Sequence, residues 1–186
     1  IKNNNLVHKK KYKVIVVTSA MSGVTNDLIK KAEKISKNFP NSERDVLLST
    51  GEQMAGALIA GKLCDLGFNS RSWMSWQIPI ITRGNYSAAR IIKIGTDQLK
   101  RYLKKGGTPI ITGFQGLNKE NRIPTLERGG SDASAIPRQS GTATKNTTIL
   151  AGMSFDRLSK IPKFFFERYS NVSHNAHYNN HQRWLF

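Results

Sequence analysis

The residues of this sequence best suited to hold an anion lie in residues 125–135, which read Thr-Leu-Glu-Arg-Gly-Gly-Ser-Asp-Ala-Ser-Ala. Arg128 can grip a carboxylate or a phosphate through two parallel hydrogen bonds. The two glycines after it let backbone amides approach a ligand closely, and Ser131 is a natural N-cap for a helix that would begin at Asp132. A surface turn capped by Ser-Asp is the alternative interpretation, and this stretch alone leaves both open.

The polar stretch at residues 19–26 is a second candidate site. It follows a β-branched apolar run at 12–18 that is typical of a strand buried on both faces, and a helix is predicted from Asp27 onwards. α/β folds place ligands at such carboxyl ends of strands. A third candidate is Glu52, because the hydroxyl-rich run at 49–52 predicts an interruption and a fresh helix start with Glu52 in its first turn.

The elements that would position these residues alternate between strand and helix. Strands are predicted at 12–18, 70–76, 89–94 and 108–112, and helices at 27–39, 45–66 (interrupted at 49–52) and 96–105. This alternation predicts a largely parallel sheet with helices on its faces.

Composition excludes some classes of protein. A chain of 186 residues with 38% hydrophobic residues is long enough for one domain with a packed core. No apolar run approaches a membrane span, and no signal-peptide pattern is present, so we expect a cytoplasmic protein without a membrane partner. The single cysteine, Cys64, lies in an apolar helical context and is predicted to be a core residue.

The net charge of +17 would suit a nucleic-acid partner, but the distribution of the charge argues against one. Ten of these charges lie in residues 1–13 and 137–186, and no recognisable nucleic-acid-binding motif is present. We therefore expect no nucleic-acid binding. His174, His177 and His181 would share one helix face, but no helical pattern supports a metal site, and a solvated tail is the expectation.

Five stretches together resemble the catalytic domain of aspartokinase, a member of the amino acid kinase superfamily. They are Ser-Ala-Met-Ser-Gly-Val-Thr-Asn at 19–26, Leu-Ser-Thr-Gly-Glu-Gln at 48–53, the segment 71–77, Ile-Thr-Gly-Phe-Gln-Gly at 111–116, and 125–135. The resemblance rests on their order and spacing, and it extends over residues 12–135. It implies an α/β fold, a three-layer α/β/α sandwich with a mostly parallel sheet, incomplete in this chain.

The resemblance also implies an activity. Aspartokinases transfer the γ-phosphoryl group of ATP to the side-chain carboxylate of L-aspartate, with Mg²⁺, in the first step of lysine, threonine and methionine biosynthesis. Cationic and amide donors must surround the transferred group, because positioning and charge stabilisation supply most of the catalysis. The implied partners are L-aspartate and ATP, with association into a homo-oligomer or with an intact kinase subunit.

By the same resemblance, Arg128 would hold the α-carboxylate of aspartate and Glu52 would meet its ammonium group. The remaining implied roles are substrate contacts at Ser19 and Thr25, a phosphate loop at Gly129 and Gly130, and catalytic residues that orient the reacting groups at Ser131 and Asp132.

The sequence departs from the family pattern in four places. The motif Lys-Phe-Gly-Gly-Thr-Ser has no counterpart in residues 1–11, and Glu127 stands where the family has glycine. Pro137 interrupts the helix expected after residue 135, and no Asp-Val-Asp-Gly segment for nucleotide binding occurs in the rest of the chain.

These departures divide the chain into a basic arm (1–11), a partial catalytic domain (12–135) and an atypical tail (136–186), disordered or out of frame. The expected protein is an aspartate kinase whose activity is lost or impaired in this chain. The alternative is a non-catalytic subunit that binds aspartate or associates with a kinase.

Overall fold

The computed structural model describes residues 13–127 and the backbone of residues 147–153. The described strands are β1 (Lys13–Thr18), β2 (Ser70–Trp73), β3 (Ile80–Arg83), β4 (Arg90–Ile94), β5 (Thr108–Thr112) and β6 (Thr147–Met153). The described helices are α1 (Val24–Ile35), α2 (Asn41–Asp65) and α3 (Asp97–Lys104).

The main sheet has the strand order β2-β5-β1-β6, and every pairing in it is parallel. β1 lies inside this sheet, with Val16 opposite Ile110 of β5 and Leu150 of β6. β3 and β4 form a separate antiparallel pair. The predicted α/β fold with a mostly parallel sheet is therefore confirmed, and β6 lies within the segment that the sequence analysis treats as an atypical tail.

The two faces of the sheet pack against different helices. Ile15, Val17 and Ile111 belong to an apolar cluster that also contains Leu99 and Leu103 of α3. Successive strand residues point to opposite faces, so Val16 and Thr18 of β1 and Thr112 of β5 point the other way. Thr18 and Thr112 lie beside Gly56 of α2. Helices α2 and α3 thus cover opposite faces, as expected for three layers.

Helix α2 is continuous through residues 49–52, so the interruption predicted there is wrong. The Ser49 and Thr50 hydroxyls donate to the carbonyls of Val46 and Leu47, each 2.7 Å away and three residues back in the helix. These hydroxyls are therefore bonded within the helix and do not cap a new one.

Cys64 is exposed, so the prediction that it is a core residue is also wrong. It follows Leu63, which is the buried residue in this last turn of α2, and the thiol turns towards the carbonyl of Ser70 at 3.3 Å. Apolar neighbours in sequence predicted burial, but Cys64 lies on the outer side of the helix.

Gly56 allows α2 to approach the sheet. A Cβ at this position would lie 2.8 Å from Cγ2 of Thr112, closer than real side chains come, whereas a Cβ at Gly61 of the same helix would meet nothing within 4 Å.

We expect Gly56→Ala to lower the free energy of unfolding by about 1–3 kcal/mol through overpacking. Gly61→Ala is the matched control and should raise it by up to about 1 kcal/mol through helix propensity. Urea unfolding of both variants measures this, and equal effects would contradict the close approach.

Candidate functional site

The candidate site lies where the carboxyl ends of the central strands meet. The Thr18 carbonyl at the end of β1 accepts the N–H of Gly113, which follows β5, at 3.1 Å. The Thr112 hydroxyl at the end of β5 donates to the carbonyl of Trp73 at the end of β2, at 3.2 Å. Hydrogen bonds therefore tie together the ends of three neighbouring strands, and the loop after β1 leaves the sheet from a fixed point.

That loop packs directly on α2. Ser19 at its start and Thr25 in the first turn of α1 are both half-buried. A Cβ at Gly51 would lie 3.1 Å from Cγ1 of Val24 and 3.3 Å from Cβ of Ala20. The small residue at position 51 thus brings the loop that begins with Ser19 against the turn of α2 that carries Glu52.

Glu52 is a buried carboxylate beside this loop, with 5% of its surface exposed. The backbone N–H of Ala20 donates to it. Its other oxygen, Oε2, is buried and has no hydrogen-bond partner among the described residues. Burial raises the pKa of Glu52 to about 7, and the bond from Ala20 opposes this only partly. A buried oxygen with unused acceptor capacity is suited to receive a cationic donor.

Asp45 is a second buried carboxylate on α2, and the sequence analysis did not single it out. It is fully buried and accepts hydrogen bonds from Ser87 and from Thr125, which lie far away in sequence. It precedes Glu52 by seven residues, which places both on one face of the helix. That heptad spacing of acidic residues was the available signal, but the partners could not be foreseen.

The remaining predicted site residues fall outside the described part of the chain, which in this region ends at Glu127. These residues are Arg128, Gly129, Gly130, Ser131 and Asp132. The structure places Ala20 and Val24, the neighbours of Ser19 and Thr25 in sequence, against the turn of α2 that carries Glu52. The roles of all the predicted site residues stay predictions.

Glu127 forms an ion pair with Arg90, with 3.3 Å between Oε2 and Nε. Both side chains are partly exposed, so this pair lies at the surface.

The residues described bring together no group of three or more His, Cys, Asp or Glu side chains able to hold a metal ion. None of the described helices is long and apolar enough to cross a membrane.

A family model of the amino acid kinase family matches residues 3–137. The chain belongs to this family. Among curated relatives, the aspartokinase of Rickettsia conorii is 46% identical over 129 residues, covering 68% of this chain and 32% of the relative. The aspartokinase of Geobacillus stearothermophilus is 42% identical over 123 residues, covering 66% of this chain and 30% of the relative.

The chain spans about a third of the length of these curated relatives. Among solved structures, it resembles Escherichia coli aspartokinase III in complex with aspartate and ADP, with a TM-score of 0.61 and 21% sequence identity. This match covers 73% of the present chain and 41% of the other. It shows that the two chains share the described α/β fold.

The buried Glu52 predicts a specific dependence of stability on pH. Its pKa rises from 4.5 to about 7 on folding, so the folded protein binds the proton more tightly than the unfolded chain. This contribution to stability is fully present below about pH 4.5 and is lost as the pH rises through about 7. Between pH 5 and pH 8, we expect wild type to lose about 2–3 kcal/mol more than Glu52→Gln.

Urea unfolding at several pH values measures this difference. Glu33→Gln, which removes an exposed carboxylate on α1, is the control and should follow the wild-type profile. Superimposable profiles for wild type and Glu52→Gln would show that Glu52 does not titrate as a buried group.

Proposed function

We propose that this chain binds L-aspartate as the phosphoryl acceptor of an aspartate kinase. The reaction would join a side-chain carboxylate oxygen of aspartate to the γ-phosphorus of ATP and release ADP, forming 4-phospho-L-aspartate. The observation that carries this proposal is the under-bonded buried carboxylate of Glu52, next to the strand-end loop 19–23, in a chain of the amino acid kinase family.

Glu52 would bind the ammonium group of aspartate. An ammonium group supplies three donors, and one of them could reach the unpartnered Oε2. A bound cation would favour the ionised carboxylate and lower its pKa, so the pair would compensate the cost of burying either charge alone. The Ser19 and Thr25 hydroxyls, half-buried at the ends of the adjacent loop, would contact the same substrate.

The other half of the substrate would meet residues 128–132. Arg128 is the proposed partner of the α-carboxylate, since a guanidinium can pair with a carboxylate through two bonds. Amides at Gly129 and Gly130 would face the phosphoryl group, and Ser131 and Asp132 would orient the reacting groups. The names of the relatives, aspartokinases, and the aspartate and ADP in the E. coli structure support this choice of substrates.

Magnesium and nucleotide sites receive less support from the residues described. Between residues 13 and 127, no set of three or more His, Cys, Asp or Glu side chains that could hold Mg²⁺ converges. Its chemistry, when bound, is to neutralise charge on the phosphate oxygens. We therefore assign the described residues to the amino acid and derive no step for them on the nucleotide.

We expect L-aspartate to raise the melting temperature of the chain and to bind about tenfold more tightly at pH 8 than at pH 6. The reason is that binding needs ionised Glu52, and a pKa of about 7 leaves only about a tenth of it ionised at pH 6. Isothermal titration calorimetry at both pH values measures the difference. Affinity that does not change with pH would remove Glu52 from the site.

Arg128→Ala should abolish the aspartate-induced thermal shift if the guanidinium holds the α-carboxylate. Arg101→Ala, which removes one exposed arginine from α3, is the charge-matched control and should keep the full shift. A shift retained in Arg128→Ala would overturn the assigned role of this arginine.

The non-catalytic alternative is favoured by the departures from the family pattern, among them the proline at position 137, where the resemblance implies a helix. An assay for acyl phosphate after addition of ATP and Mg²⁺ separates the two functions. Aspartate binding with acyl phosphate formation supports the kinase. Aspartate binding without it supports an aspartate-binding subunit.

A further inference from the structure

We propose that Asp45 is a positioning residue that fixes residues 124–127 against α2, so that the chain reaches Arg128 from a defined place relative to Glu52. This inference rests on the proposed function, because it concerns the spacing between the two groups that would hold aspartate. The described contacts of Asp45 carry it.

Asp45 accepts four hydrogen bonds, and they are divided evenly between its two oxygens. Oδ2 accepts the backbone N–H groups of Ser87 and Thr125, both at 2.7 Å. Oδ1 accepts the hydroxyls of the same two residues, at 2.8 Å and 2.9 Å. A carboxylate offers about four acceptor positions, so all of them are used. Without this carboxylate, the two backbone N–H groups would lose their common acceptor.

The segment that Asp45 holds is also bonded on both of its sides. On one side, the Ala89 N–H donates to the Thr125 carbonyl at 3.1 Å, and the Ala89 carbonyl accepts the Glu127 N–H at 3.2 Å. On the other side, the Leu126 N–H donates to the Phe114 carbonyl at 3.1 Å. These bonds connect the segment to two loops, and Asp45 connects it to the helix that carries Glu52.

The other partner, Ser87, has a positive φ of 64°, a conformation that costs free energy for a residue with a side chain. Two bonds to a buried carboxylate compensate for this cost. Asp45 therefore holds the turn between β3 and β4 as well as residues 124–127. Asp45 binds Ser87 and Thr125 through the same kinds of hydrogen bond, but only Thr125 lies in the segment that directly precedes Arg128.

Helix α2 sets the distance between the two attachment points. Asp45 and Glu52 lie two turns apart on one face, which corresponds to about 10 Å along the axis. The ammonium and α-carboxylate of an amino acid are attached to one carbon atom, so the groups that bind them must keep a fixed separation. A misplacement of about 1 Å can cost a factor of about 100 in rate.

The equal division of bonds provides a matched pair of variants. Thr125→Val and Ser87→Ala each remove one hydroxyl that donates to Oδ1 of Asp45. Both should lose stability. We expect Thr125→Val to raise the Kd for L-aspartate about tenfold and Ser87→Ala to change it less than twofold, as measured by calorimetry at a temperature where circular dichroism shows both to be folded. Ser87→Gly, which suits the positive φ, replaces Ser87→Ala if that variant is poorly folded.

Equal Kd values for wild type and Thr125→Val, or equal increases in both variants, would overturn the positioning role and leave Asp45 a purely structural residue. If wild type does not bind aspartate at all, the proposed function fails, and amide hydrogen exchange then decides the role of Asp45 separately.

For that measurement we choose Asp45→Ala, which removes the acceptor, and follow the amides of Leu126 and Glu127, which are not bonded to Asp45 itself. Exchange at these amides at least tenfold faster than in wild type, with Ile59 in α2 unchanged, supports the anchoring. Uniform acceleration throughout the protein, or no acceleration at residues 126 and 127, overturns it.

Discussion

The close contact between α2 and the carboxyl ends of β1 and β5 is the constraint on which the candidate site depends. It exists because Gly56 faces the methyl group of Thr112 and Gly51 faces the loop after β1. A helix this close to the sheet removes its own polar side chains from water, and a buried carboxylate is costly unless donors surround it. The packing at these glycines therefore keeps Asp45 and Glu52 away from water, and the hydrogen bonds to their carboxylates offset the cost of that burial.

The two carboxylates differ in the number of hydrogen bonds that they accept from the protein, and this difference distinguishes a structural role from a ligand-binding one. Asp45 has four donors from the protein and needs nothing more. Glu52 has the Ala20 amide on its carboxylate and a buried oxygen with no described partner, and its pKa rises accordingly to about 7. A buried carboxylate oxygen without a donor is suited to bind a cation. Carboxylates with shifted pKa values of this kind are concentrated at functional sites.

Local sequence predicted strands β1, β2, β4 and β5 because their signals are local, whereas β3 and β6 were not predicted. The apolar runs that become β1 and β5 are β-branched and short, and the small residues after β1 mark the strand end. The continuity of α2 was not predictable in this way. Ser49, Thr50 and Gly51 are typical of a helix start, but in the structure the two hydroxyls bond within the helix and Gly51 packs on Ala20 and Val24. Asp45 was missed because its partners lie 42 and 80 residues away.

The glutamate at position 127 shows how a departure from the family pattern can be accommodated. Its backbone N–H donates to Ala89, as part of the bonded segment 124–127, and its side chain pairs with Arg90 at the surface. An exposed pair of this kind contributes at most about 1 kcal/mol to stability, but it brings a positive charge beside the added negative one. A carboxylate repels a nearby phosphate, but a paired carboxylate does so less strongly than a lone one.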